Sequence, residues 1–317
     1  MKATVVAACI ALVALLAGAP RADGPAAAPS IARTQGQRHH YTIGARIRPL
    51  LFWIGKDDVG DAVLAKKHDG DAIGYSLLIG SDPERAPRHI NRWGYLSEEV
   101  RGDEATLVGL MTESDEESVS QAEANLQKQA GERTFNVIRA SVTQGESRSV
   151  VTSVAASSDY TFRHVDTLLD LAERKGTDGR TRVVRLPDGT RPGFLVALGD
   201  VIHRQVRQWT LTQGLSIGPP ITYVYHGKLY QLRTTRSHAV ANVHVGDRTY
   251  EHAIATQFQI RSLRDGEQTD FSMTYAADGP LAETPLIATY QPRWWIEIQL
   301  TLDDSKVGPA LASETMP

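Results

Sequence analysis

The chain has 317 residues, a formal net charge of −3 and 41% hydrophobic residues, with Cys9 its single cysteine. Beyond Cys9 this excludes disulfides, a thiol nucleophile and thiolate metal sites. No long basic run occurs, so nucleic acid is not an expected partner.

Lys2 gives a short positive start, and Ala3 to Ala19 follow without a charge through Val5, Val6, Ile10, Leu12, Val13, Leu15 and Leu16. Pro20, Arg21 and Ala22 come next. A basic start, an apolar stretch and small residues form the pattern of a secretory signal peptide. The stretch is shorter than the ~20 residues that cross a bilayer comfortably. Residues 1–22 are therefore the expected signal, with an uncleaved anchor as the alternative, and the mature chain is expected to have no membrane span. Cys9 lies within the apolar stretch, with too little before it to serve as a lipoprotein cysteine. Abundant Ala, Arg and Gly, without an Asn-x-Ser/Thr acceptor, fit a bacterial envelope protein, periplasmic or secreted. Residues 23–40 read as a flexible lead-in and 303–317 as a disordered polar tail. Between them, 41–302 reads as a single β-rich domain. Two sub-lobes joined near 160–215 are the alternative.

Asp57, Asp58, Gly60 and Asp61, then Asp69 and Asp71 around Gly70, offer oxygen ligands of the kind calcium takes. The spacing of a calcium loop is absent, and Asp-Gly turns explain both groups. Ile73, Tyr75, Leu77 and Ile79 alternate as one face of a strand. The segment from Leu78 to Tyr95 carries Arg85, Arg88, Arg92 and Trp93. Glu98 and Glu99 point to opposite faces of a strand, which makes them poor catalytic partners. Ser114 caps a polar helix to about Gln129. Val165, Leu168, Leu169 and Ala172 form a helical stripe ended by Gly176. A third helix, from about Gly193 to Thr210, has Leu195, Leu198, Ile202, Val206 and Trp209 on one side and Asp200, His203, Arg204, Arg207 and Gln208 on the other. It is expected to cover the apolar face of a curved sheet.

Gly214-Leu215-Ser216-Ile217-Gly218 matches G-x-S-x-G, but a nucleophile elbow needs a strand before the serine and a helix after it. Here a helix precedes and Pro219-Pro220 follows, so a Gly-rich turn is the better reading. His226, His238, His244 and His252 cluster late. His238 and His244 share a strand face but stand about 20 Å apart, too far to share one ion. No metal, cofactor or catalytic set is expected. Ile254, Thr256, Phe258 and Ile260 alternate with polar residues, as do Phe271, Met273 and Tyr275, and Trp294, Ile296, Ile298, Leu300 and Leu302. Gly246-Asp247, Asp265-Gly266 and Asp278-Gly279 mark turns between strands. One apolar and one polar face imply an antiparallel sheet covered on one side. Near the end, Tyr290-Gln291-Pro292-Arg293-Trp294-Trp295 pairs arginine with tryptophan. Trp295 falls on the outer face. Arg85, Arg88, Arg92, Trp93, Arg293 and Trp295 are the candidate ligand-binding residues, because arginine beside tryptophan holds anionic or sugar-like ligands by charge and stacking. The competing reading is a stapled loop and a core tryptophan.

These two segments, with Ile47-Arg48-Pro49-Leu50-Leu51-Phe52-Trp53-Ile54-Gly55, resemble exported bacterial proteins of unknown function. The stretch from about Tyr223 to Asp303 is similar to a wider family of exported β-rich proteins. The resemblance implies a curved antiparallel sheet like the half-barrels that carry lipoproteins, and it assigns no functional residues. The expected fold is mainly β (α+β), a curved antiparallel sheet or half-barrel wrapped around one or more helices. The expected role is non-catalytic binding of lipid, glycan or an envelope protein. A periplasmic hydrolase using His, Asp or Glu on the polar face is the alternative. An outer-membrane barrel is disfavoured by the internal helices and the polar tail.

Overall fold

A computed structural model of the chain describes residues 36–47, 54–86, 89–111, 131–179, 181–293 and 296–303. The strands of the first half are β1 (Gly36–Ile47), β2 (Ile54–Asp69), β3 (Ala72–Ser81), β4 (Trp93–Arg101), β5 (Glu104–Met111), β6 (Glu132–Thr143) and β7 (Glu146–Ser157). Helix α1 (Val165–Lys175), short strands β8 (Thr177–Asp178) and β9 (Arg182–Arg185), and helix α2 (Phe194–Thr212) follow. The second half is β10 (Ile221–Tyr225), β11 (Lys228–Val245), β12 (Arg248–Ser262), β13 (Gln268–Ala276), β14 (Pro285–Arg293) and β15 (Ile296–Leu302). The expected signal peptide, the polar helix after Ser114, Arg88, Trp294 and Trp295 lie outside the described residues. So does most of the tail. The first strand begins at Gly36, inside the stretch read as a lead-in, because His39 and Tyr41 already alternate inward on it.

All fifteen strands form one open antiparallel sheet, ordered β10-β11-β12-β13-β14-β15-β1-β2-β3-β4-β5-β6-β7-β8, with β9 beside β7. Almost every neighbour is also next in sequence, as short turns dictate. The exceptions are β9 beside β7 and β15 beside β1, the second of which joins the two halves of the chain. Side-chain alternation sets the register. On β12, Ile254, Thr256, Phe258 and Ile260 are all buried, whereas Gln257 and Arg261 are exposed. The expected turn pairs fall at strand connections. Gly70, at φ +61°, closes β2 to β3 in a conformation that suits glycine.

The sheet is strongly curved. Laid flat, its twelve strands from β10 round to β6 would extend roughly 50 Å, against ~10–12 Å for one helix. Yet one core cluster joins α2 to buried residues of every strand in that run. The Tyr225 hydroxyl of β10 lies 3.2 Å from where a Cβ would stand on Gly109 of β5. The ends approach closely: Arg182 of β9 donates to the His226 carbonyl at 3.3 Å. Arg191 exchanges backbone hydrogen bonds with the β10 segment at 2.8 and 3.0 Å. Helix α2 thus lies within the curve, with Leu195, Leu198, Ile202 and Val206 buried and Trp209 half-buried against them.

The expectation of a sheet covered on one side is corrected over β3 to β7. A second core there holds Leu78, Trp93, Leu110, Phe135, Val137 and Val154 against Phe162, Val165, Leu168 and Ala172 of α1 and the turn before it. From β3 to β6 both faces carry buried apolar residues, so both are covered. The α1 helix stops at Gly176 as its stripe indicates. Among the described residues, no helix is long and apolar enough to cross a membrane.

Candidate ligand-binding cavity

Between α2 and the concave face of the sheet lies an apolar cavity of about 140 Å³. Its helix wall is Phe194, Leu195, Leu198 and Ile202. Its sheet wall comes from Tyr41 of β1, Leu64 of β2, Leu77 and Ile79 of β3, Phe271 and Met273 of β13, Ala288 and Tyr290 of β14, and Ile298 and Leu300 of β15. These positions are brought together by the β15–β1 pairing, where Ile43 faces Leu300 and Ala45 faces Ile298. Gly199 leaves room for the Tyr75 ring, since a Cβ there would come within 2.7 Å of the Tyr75 hydroxyl.

Polar groups gather at one end. Lys66 donates to Glu283 Oε2 at 3.0 Å, and His203 Nδ1 meets Glu283 Oε1 at 2.5 Å. Lys66 Nζ also stands 5.8 Å from the centre of the Tyr75 ring. Burial pulls the Lys66 pKa down, but Tyr75 and Glu283 outweigh it and the net shift is upward. Burial pushes Glu283 up, yet His203 and Lys66 hold it below the usual carboxylate range. Lys66 and Glu283 keep about a third and a quarter of their side chains exposed, so this end reaches the surface.

Two buried polar contacts fix the helix that roofs the cavity. Glu98 of β4 points inward and accepts the Val196 amide at 2.9 Å at the N-terminus of α2. Such a carboxylate satisfies helix amides that have no partner within the helix. Burial is the larger influence and pushes its pKa up to about 7, against the pull of the Val196, Leu195 and Phe194 amides. Two turns on, buried Gln205 donates to Thr234 at 3.2 Å, accepts from Ser237 at 3.3 Å and Thr256 at 2.9 Å, and also accepts from Tyr275. These contacts tie α2 to β4 and to three successive strands, β11 to β13.

The residues singled out in the sequence occupy other places. Arg85 is shared by Asp58, Asp61 and Asp82, and Asp82 also holds Arg163 at 3.2 Å. Arg92 is buried and its backbone is latched by Ser81. Trp93 is buried in the second core and donates to the Tyr160 carbonyl at 3.1 Å. Arg293 ends β14, paired in register with Ile296. The turn after β3 and the end of β14 fall at one end of the sheet, whereas Lys66 and Glu283 fall at the other. Neither Arg85, Arg92 nor Trp93 lines the cavity. Ser216 is exposed and exchanges hydrogen bonds with Gln208 rather than with a histidine. His244 contacts Thr249, His252 contacts Asp278, and His226 contacts Arg182. Among the described residues, no three His, Cys, Asp or Glu side chains are grouped to hold a metal. Sequence reasoning missed Lys66, Glu283 and His203. A lysine in phase with Ala62 and Leu64 on an inward face was the available signal.

No protein-family model matches the chain, and no curated protein matches it. Among solved structures it is similar to a "putative lipoprotein" from Parabacteroides distasonis, with 6% identity over 85% of this chain and 95% of that one and a TM-score of 0.26.

Proposed function

We propose that the protein binds a lipid, taking an apolar chain into the cavity between α2 and the concave sheet. The apolar cavity, walled by a helix and six strands and polar at one end, is the observation that carries this reading. Its volume, about 140 Å³, is close to the ~150 Å³ of apolar cavities that stay dry and take up benzene. That is room for a segment of an acyl chain, with the remainder extending toward the surface past Lys66 and Glu283. Few convergent polar groups on an otherwise apolar wall are the usual make-up of a small-molecule site. The setting we propose is the bacterial envelope, supported by Lys2 and the uncharged stretch Ala3–Ala19.

Titration with the neutral dye N-phenyl-naphthylamine, followed by displacement with dodecanol, tests the reading. One saturable dye site per chain, emptied by dodecanol, is expected. Absence of saturable uptake, or dye that dodecanol does not displace, would overturn it.

A further inference from the structure

The polar end of the cavity carries information about the head of the ligand. Lys66 comes from β2 and His203 from α2, which face each other across this end of the cavity. Between them stands a single carboxylate, Glu283, donated by the turn between β13 and β14. Glu283 is held at φ +70°, a left-handed conformation that a non-glycine residue adopts at a cost. The carboxylate therefore occupies a site with two nitrogen donors, at the rim of an apolar chamber. An external anion tethered to an apolar chain would meet the same two donors.

We propose that the ligand is an anionic single-chain amphiphile whose headgroup displaces the Glu283 carboxylate and is held by Lys66 Nζ and His203 Nδ1. This rests on the lipid-binding reading above and adds the chemistry of the head. The chain lies against Leu198, Ile202 and Met273, and the head takes over the contacts that Glu283 makes. Glu283 is then a competitor for the site, and Lys66 is its main anchor, because its ammonium brings a compact charge with three hydrogen-bond donors. A carboxylate and a phosphate head satisfy the same donors.

The test compares dodecanoate, dodecyl phosphate and dodecanol on the full chain by calorimetry or dye displacement at fixed salt. A hydrogen bond to a charged group predicts dodecanoate binding about ten- to a hundredfold tighter than dodecanol. Lys66→Gln should remove that advantage, weakening dodecanoate far more than dodecanol. Lys66→Arg should restore most of it, which separates charge from packing. Glu283→Gln should raise dodecanoate affinity by removing the competitor. Tighter binding of dodecyl phosphate than of dodecanoate, with the same dependence on Lys66, supports the proposal with a phosphate head. Equal affinities for dodecanoate and dodecanol overturn it and leave the cavity reading intact. So does equal weakening of both by Lys66→Gln. Failure of all three amphiphiles overturns both readings.

Discussion

Gly193 and Glu98 are packed so closely that a Cβ on Gly193 would fall 2.2 Å from the Glu98 carboxyl carbon. No side chain fits there without moving the carboxylate from the α2 N-terminus. Gly193→Ala is expected to destabilise the fold by ~1–3 kcal/mol, the cost of an overpacked core site. Glu98→Ala makes room, so the double variant should lose less than the sum of the single ones. Denaturant melts of the cycle measure this coupling, and strict additivity would show that the two residues do not contact in solution.

The same carboxylate sets a pH dependence. Burial raises its pKa from 4.5 to about 7. Between those values the folded protein holds a proton that the unfolded chain has released. Its contribution to stability is therefore full below pH 4.5 and is lost as pH rises through about 7. The whole contribution is on the order of 3 kcal/mol. Glu98→Gln cannot titrate. Its unfolding free energy should fall less steeply than that of the unaltered protein across this window, by up to about 1.4 kcal/mol per pH unit. Parallel stability profiles would mean that Glu98 titrates normally.

Gln205 serves four hydroxyl-bearing residues at once. Gln205→Leu keeps much of the volume but removes an acceptor from Ser237, Thr256 and Tyr275 and a donor from Thr234. Ser237, Thr256 and Tyr275 retain contacts with one another at 3.0 Å, which limits the damage. A loss of ~2–3 kcal/mol is expected, the cost of leaving buried polar groups short of partners. Gln208→Ala, on the exposed side of the same helix, should change stability by less than ~0.5 kcal/mol. Equal effects in urea melts would contradict the placement of the two faces.

The contrast between Gln205 and Gln208 also shows what could be read in advance. Period-two and helical patterning locate Ile254 to Ile260 and the apolar stripe of α2, because burial of one face acts on every residue of an element. Asp-Gly and Gly-Asp pairs locate the turns because backbone conformation there is a local demand. The cavity is not local. Lys66 and Glu283 are 217 positions apart, and His203 and Glu283 are 80 apart. They meet through the β15–β1 pairing, which no short-range pattern encodes. The apolar face that Leu78 and Trp93 turn outward was hidden for the same reason, since only the docking of α1 covers it. Arginine and tryptophan close in sequence suggest a ligand site, whereas Arg85 is engaged by carboxylates from β2 and from its own turn.

That engagement is testable. Arg85→Ala leaves Asp58, Asp61 and Asp82 facing one another, and Arg85→Lys cannot reproduce a fork that reaches three carboxylates. Both variants should lose ~1–2 kcal/mol, above the range of isolated surface pairs because several charges share one partner. High salt should narrow the difference from the unaltered protein. If Arg85→Ala keeps full stability and instead weakens uptake of dodecanoate, Arg85 belongs to the ligand site.

Filling the cavity separates a binding chamber from a packing defect. Ala288 sits on its wall, opposite Met273 of β13 on one side and Leu300 of β15 on the other, and both of these line the same space. Ala288→Leu replaces a methyl group with an isobutyl group directed among apolar neighbours. If the space were only a void, closing it would raise stability by ~0.5–2 kcal/mol, as cavity filling commonly does, with no other consequence. If the space receives a chain, the same change should preserve or raise stability while weakening dye and dodecanol uptake at least about tenfold, the loss of roughly 1.4 kcal/mol of contact. Ala255→Leu is the control. Ala255 lies on the opposite face of β12, out of phase with buried Ile254 and Thr256, so added bulk there should leave uptake untouched. Paired thermal melts and dye titrations of the two variants give the answer. Undiminished dye uptake by the stable Ala288→Leu protein would place the bound chain elsewhere on the molecule. Loss of uptake in both variants would point to a general disturbance of the sheet rather than to occupancy of the cavity.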